Sequence, residues 1–93
     1  MIVGFRDTET ATIWSGKRSR QLPSEIQSAA LRKLRLLNNA QRLDDLRVPP
    51  GNRLEALKGS RVGRHSIRIN DQWRICFVWK DKHAYQVEIV DYH

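Results

Sequence analysis

The chain reads as an α+β domain: β-α-α, then an antiparallel β-meander with the helices on one sheet face. Three observations predict this. Apolar residues recur at helical spacing in the first half and at every second position in the last third. Two turn signals divide that last third into strands. Helices come first and strands afterwards, which segregates them into two layers. With 93 residues the chain has room for one modest core, so residues 1–93 are read as a single domain.

Met1 to Arg6 forms the first expected strand, with Ile2, Val3 and Phe5 available for burial. Asp7 or Thr8 can cap a short helix to about Ser15, because a side-chain oxygen there satisfies free backbone N–H groups, and Gly16 supplies the stop. After the basic turn Lys17-Arg18-Ser19-Arg20 a longer helix begins at Pro23-Ser24-Glu25, where Ser24 and Gln27 match an S-x-x-Q capping box. Ile26, Ala30, Leu34 and Leu37 make one face of it, with Arg32, Lys33 and Arg35 off that line. Asn38-Asn39 end it. Residues 40–53 are expected to make a helical turn and then an extended loop through Pro49-Pro50.

From residue 66 the period becomes two. Ile67 and Ile69 alternate with Ser66, Arg68 and Asn70; Asn70-Asp71 turns the chain. Trp73, Ile75, Phe77 and Trp79 alternate with Arg74, Cys76 and Val78. Lys80 to His83 makes a second turn, and Tyr85, Val87 and Ile89 continue the alternation. Two hairpins in series give at least three antiparallel strands. Counting parity from the turn, Arg68 and Arg74 both point away from the isoleucine stripes, which predicts a basic face opposite the helices.

Charge narrows the function. Seventeen Lys and Arg against ten Asp and Glu give +7, and twelve of the seventeen are Arg. The excess is spread along the chain, so it is not a basic tail. A guanidinium can grip phosphate with two parallel hydrogen bonds, and a nucleic-acid partner is the leading expectation; an acidic protein fits the same charge. The single Cys76 forbids an intrachain disulfide and a Cys-rich zinc site. Asp and His do not recur at metal-ligand spacings, so no metal and no cofactor are expected. No apolar run approaches about 18 residues and the N-terminus lacks a signal-peptide pattern. The expectation is a cytoplasmic protein with no membrane partner.

Six basic residues, Arg53, Lys58, Arg61, Arg64, Arg68 and Arg74, crowd one stretch against Glu55 and Asp71 alone. Gly59 and Gly63 allow the intervening loop to approach a ligand closely, although no phosphate-binding P-loop pattern is present. The chain closes on Asp91-Tyr92-His93. An imidazole is the side chain that ordinarily titrates near neutral pH and suits proton transfer. His65 and His83, at the starts of strands, are expected to face water.

Leu54-x-x-Leu57-Lys58-Gly59-x-Arg61-x-Gly63, then Ser66-Ile67-Arg68, then Trp73-Arg74-Ile75-x-Phe77, closing on Asp91-Tyr92-His93, resembles the HigB toxin branch of the RelE/ParE superfamily. That resemblance implies a RelE-like fold related to microbial ribonucleases. It implies a type II toxin that cleaves messenger RNA at the A site of the small ribosomal subunit and is neutralised by a HigA-like helix-turn-helix antitoxin. Matched by position, Lys58, Arg74, Asp91, Tyr92 and His93 fall on residues of the family's site. Glu55 stands where some HigB toxins carry a His, and Asn70 where some carry an Arg. The expected roles are Glu55 as base, His93 as acid oriented by Asp91, Lys58 and Arg74 as charge stabilisers, and Tyr92 as a stacking or proton-transfer group. Arg53, Arg61, Arg64 and Arg68 are the expected RNA-binding residues. Two alternatives share the fold: a ParE-like inhibitor of DNA gyrase, and a nucleic-acid-binding module without catalysis.

Overall fold

The computed structural model describes residues 1–59 and 63–91. Two helices, α1 (Thr8–Trp14) and α2 (Ser24–Asn39), are followed by two 3₁₀ turns (Leu43–Arg47 and Pro50–Asn52). Four strands complete it: β1 (Glu55–Ala56), β2 (Arg64–Arg68), β3 (Trp73–Lys80) and β4 (His83–Asp91). All three strand pairings are antiparallel, in the order β1-β2-β3-β4. The α+β expectation therefore holds, with the two-residue β1 added at one edge.

Local chemistry accounts for the helices, with one correction. Asp7 caps α1 by accepting the Thr10 N–H at 2.8 Å, and Gly16 ends it at φ 88°, a left-handed conformation that glycine adopts without steric cost. At α2 the Ser24 capping box does not form. Pro23 takes the cap position with no side-chain bond, and Gln27 turns outward to the preceding loop. Its Oε1 accepts the Ser19 N–H, and its Nε2 donates to the carbonyls of Ser19 and Leu22. The box residue serves the loop instead of the helix start.

Ile26, Ala30, Leu34 and Leu37 are all at most 2% exposed. They pack with Ile67, Ile75, Phe77, Val87 and Ile89 from one face of the sheet. The predicted N-terminal strand is reduced to two parallel bridges beside β4, Ile2 with Ala84 and Phe5 with Val87. Its backbone N–H at Ile2 goes instead to the Asn38 side chain of α2. Where an extended loop was expected, Pro50 opens a 3₁₀ turn, as suits a residue with preset φ and no N–H to satisfy.

β4 departs from simple alternation. Cys76 pairs with Glu88 but Val78 with Tyr85, so β4 carries an extra residue, and Gln86 sits there at φ 50°. A bulge of this kind reverses the side-chain parity on either side of it. Val87 and Ile89 face the helices as expected, whereas Tyr85 lies on the opposite face.

Candidate functional site

Register places the site on the helix-free face. Residues opposite one another in an antiparallel pair share a face, and Arg68 opposes Arg74, Ser66 opposes Cys76 and Glu55 opposes Ser66. Arg68 and Arg74 thus lie side by side and away from the core, as parity predicted. Two guanidiniums in that relation repel, and the structure sends them to different partners. Arg68 pairs with Asp71 in the hairpin turn. Arg74 turns toward β1, donating Nε–H to Ser66 Oγ at 2.8 Å and Nη2–H to the carbonyls of Ser66 and Arg53. Glu55 Oε1 stands 3.7 Å from Arg74 Nε. Arg74 is only 8% exposed while Glu55 is about half exposed.

A cleft of about 290 Å³ opens beside this group, lined among the described residues by Arg53, Arg68, Asn70, Asp71 and Arg74. Its floor is built by short-range chemistry. Asn70 Oδ1 accepts the N–H groups of Gln72 and Trp73, closing the hairpin turn with a side chain. Arg53 occupies the left-handed region at φ 45° as the loop enters β1. Leu57, buried just past β1, donates its N–H to the Arg64 carbonyl and anchors that strand.

Two residues outside the expected set hold the loop that leads to Arg53. Asn52 is fully buried; its Nδ2 donates to the carbonyls of Leu46 and Val48, and its Oδ1 accepts from Lys33 Nζ. Lys33 thereby ties α2 to the loop that delivers Arg53. Burial, then the charges of Arg32 and Arg68, lower the Lys33 pKa from its ordinary 10.5. In the sequence Lys33 is simply a polar position off the apolar stripe, and Asn52 a loop residue. Ser66 is read there as part of an alternating strand and of the Ser66-Ile67-Arg68 segment, without a role of its own. Asn52 and Ser66 are polar groups that only the topology buries, and Lys33 is half-buried on α2, so residue type alone marks none of the three.

The remaining expected residues divide. Arg64 requires a correction: it is 8% exposed, and its guanidinium donates to Gln86 Oε1, the Gln86 carbonyl and Glu88 Oε2, the last at 2.7 Å. Its charge is taken up by the Glu88 carboxylate within the sheet, and unlike Arg74 it is not among the described residues that line the cleft. Lys58 is exposed and lies at the Arg64 end of β2, the opposite end from Arg68. Asp91 ends β4 opposite Trp73, one position beyond the Val90–Arg74 pair, and its Oδ2 accepts from Gln72 Nε2 at 3.1 Å. Arg61, Tyr92 and His93 lie outside the described residues.

One histidine differs from expectation. His65 is half-buried and stacks on Phe77 with ring centroids 6.2 Å apart. Its Nδ1 is buried without a hydrogen-bond partner among the described residues, and burial lowers its pKa from 6.5. His83 stands at the start of β4 with Nδ1 3.4 Å from the N-terminal amine.

A family model described as the RelE-like toxin of the type II toxin–antitoxin system HigB matches residues 4–93. Toxin HigB-1 of Vibrio cholerae serotype O1 is 52% identical over 65 residues, which are 70% of this chain and 68% of that protein. An uncharacterized protein of Haemophilus influenzae is 31% identical over 78 residues, covering 83% and 77%. Among solved structures, YafQ from E. coli strain BL21(DE3) superposes with a TM-score of 0.60 at 14% identity, covering 98% of this chain and 91% of that one. The YoeB–YefM complex from Staphylococcus aureus contains a chain that matches with a TM-score of 0.63 at 16% identity, covering 100% and 98%. At those identities the two structures speak to the fold.

Proposed function

Because the chain belongs to the HigB-like family of RelE-like toxins of type II toxin–antitoxin systems, we propose that it is a ribosome-dependent endoribonuclease. It cuts messenger RNA in the A site of the small ribosomal subunit, in the cytoplasm, and so halts translation. As a type II toxin it has an antitoxin partner; we take that partner to be a HigA-like helix-turn-helix protein. The observation that carries the reading is a buried, hydrogen-bonded guanidinium, Arg74, beside the carboxylate of Glu55 at the edge of a cleft lined by Arg53 and Arg68.

Such a group matches what phosphodiester cleavage by a neighbouring hydroxyl requires. The RNA 2′-OH gives its proton to a base, and its oxygen attacks the adjacent phosphorus. The bond to the 5′-oxygen breaks, and that oxygen takes a proton from an acid. The products are a cyclic phosphate and a 5′-OH. Negative charge accumulates on the phosphoryl oxygens in between, and prepositioned cations stabilise it at no cost of reorganisation. Arg74 takes that role with Lys58, Arg53 and Arg68 orient the backbone, and Glu55 serves as base. His93 is the acid, oriented by Asp91, and Tyr92 stacks on a base or assists proton transfer. The chemistry runs without a metal ion. The ribosome's hold on the message contributes by positioning the reacting atoms.

Single-turnover cleavage on programmed ribosomes tests the reading. Arg74→Ala is expected to slow the cut by about 10²–10³-fold, and His93→Ala to slow it as well. Cleavage at the wild-type rate by either variant removes the mechanism. Expression that stops DNA replication before protein synthesis would point to gyrase instead.

A further inference from the structure

We infer that Ser66 is the positioning residue that sets the direction of the Arg74 guanidinium and keeps it apart from Glu55. The inference rests on the nuclease reading for its kinetic consequence, but its structural content stands separately. Ser66 is at the centre of β2, 0% exposed, opposite Glu55 on one side and Cys76 on the other. Its hydroxyl accepts Arg74 Nε–H at 2.8 Å, and its carbonyl accepts from Nη2 at 3.3 Å. One residue thus grips two nitrogens on one edge of the guanidinium plane, with the Arg53 carbonyl as a further acceptor for Nη2.

Competition makes this grip consequential. Arg74 has an arginine, Arg68, as its cross-strand neighbour and a carboxylate 3.7 Å from its Nε. Charge alone drives it toward Glu55, and a fork-shaped guanidinium closing on a carboxylate makes two parallel hydrogen bonds. That closed pair would engage both Glu55 oxygens and the donor edge of Arg74, leaving neither a base nor a directed cation. The Ser66 hydroxyl occupies the Nε hydrogen instead, and the carboxylate stays beyond hydrogen-bond distance. The three groups are brought together only by the β1–β2–β3 register.

The test uses Ser66→Ala, which removes only the hydroxyl, and Ser66→Thr, which keeps a hydroxyl in a residue suited to strands. On programmed ribosomes, Ser66→Ala is expected to lower the single-turnover rate about tenfold with half-saturation changed less than twofold, and Ser66→Thr to recover most of the rate. Independently of any cutting, the Arg74 Nε–H should give a slowly exchanging ¹⁵N resonance in the wild type that exchanges rapidly in Ser66→Ala. An unchanged rate or an unchanged resonance in Ser66→Ala overturns the inference. So does a loss of rate and affinity together with a collapsed thermal midpoint. If Ser66→Thr does not fold, the resonance and the rate split of Ser66→Ala still decide. A wild-type protein that leaves ribosome-bound messages intact refutes the nuclease reading alone, and the resonance then judges Ser66.

Discussion

Arg64 and Arg74 occupy the same sheet face and are each 8% exposed, yet they meet different partners. Arg64 is neutralised by Glu88, which is itself 18% exposed at the side chain, and removing Arg64 leaves that carboxylate to the exposed Arg6, a longer contact at 3.4 Å. Arg64→Ala should therefore cost about 3 kcal/mol in unfolding free energy by urea denaturation. The exposed Arg68–Asp71 pair is different in kind: Arg68→Ala should change stability by less than about 1 kcal/mol. His65 supplies a pH signature. Its folded pKa lies below the unfolded value of 6.5 because burial disfavours the imidazolium. Below pH 6.5 the unfolded chain takes up the proton first, so stability falls as pH drops from 6.5 to the depressed folded value and is level above 6.5. His65→Phe should flatten that slope in denaturation curves taken between pH 7 and pH 5. None of these roles can be read from residue type, since all three arginines look alike in the sequence and only their neighbours separate them.

At the scale of elements, α2 was legible because its apolar spacing matches the helical repeat, and all four predicted positions are in the core. Leu34, 0% exposed, sits in the middle of that stripe, and Leu34→Ala should cost about 2–5 kcal/mol in thermal or chemical denaturation. The β3–β4 hairpin was legible as well. Its two turn residues, Asp81 and Lys82, both have positive φ, 52° and 69°, as a tight two-residue hairpin requires. A lysine is strained there, and Lys82→Gly should raise stability by about 1 kcal/mol in the same measurement. The bulge at Gln86 was not legible. Its left-handed backbone accompanies bonds from Arg64 on β2 to the Gln86 side chain and carbonyl, and a residue 22 positions away leaves no trace in a local pattern.

Across the whole molecule, a net charge of +7 gives a general attraction to RNA, while the cleft makes part of it local. If Arg53 and Arg68 meet phosphates, each should contribute to counterion release. Filter binding of single-stranded RNA across a salt series should show log affinity falling linearly with log salt. Arg68→Ala should shallow that slope by about 1, and Arg64→Ala should leave it unchanged because its charge is already paired inside the sheet. Equal slopes for both variants would contradict the division of the arginines proposed above.

Periodicity and punctuation are local properties, and the sequence by itself carried them: two helices, the meander, the face on which Arg68 and Arg74 emerge, and a run of motifs specific enough to indicate the family. Electrostatic partnership is not local. Which arginine is neutralised by Glu88, which is steered by a buried serine, and which lines the cleft with Asp71 depends on distances between strands. Charge interactions fall steeply with separation and strengthen on burial, so the contacts that assign each cation its task exist only once the chain has closed its register.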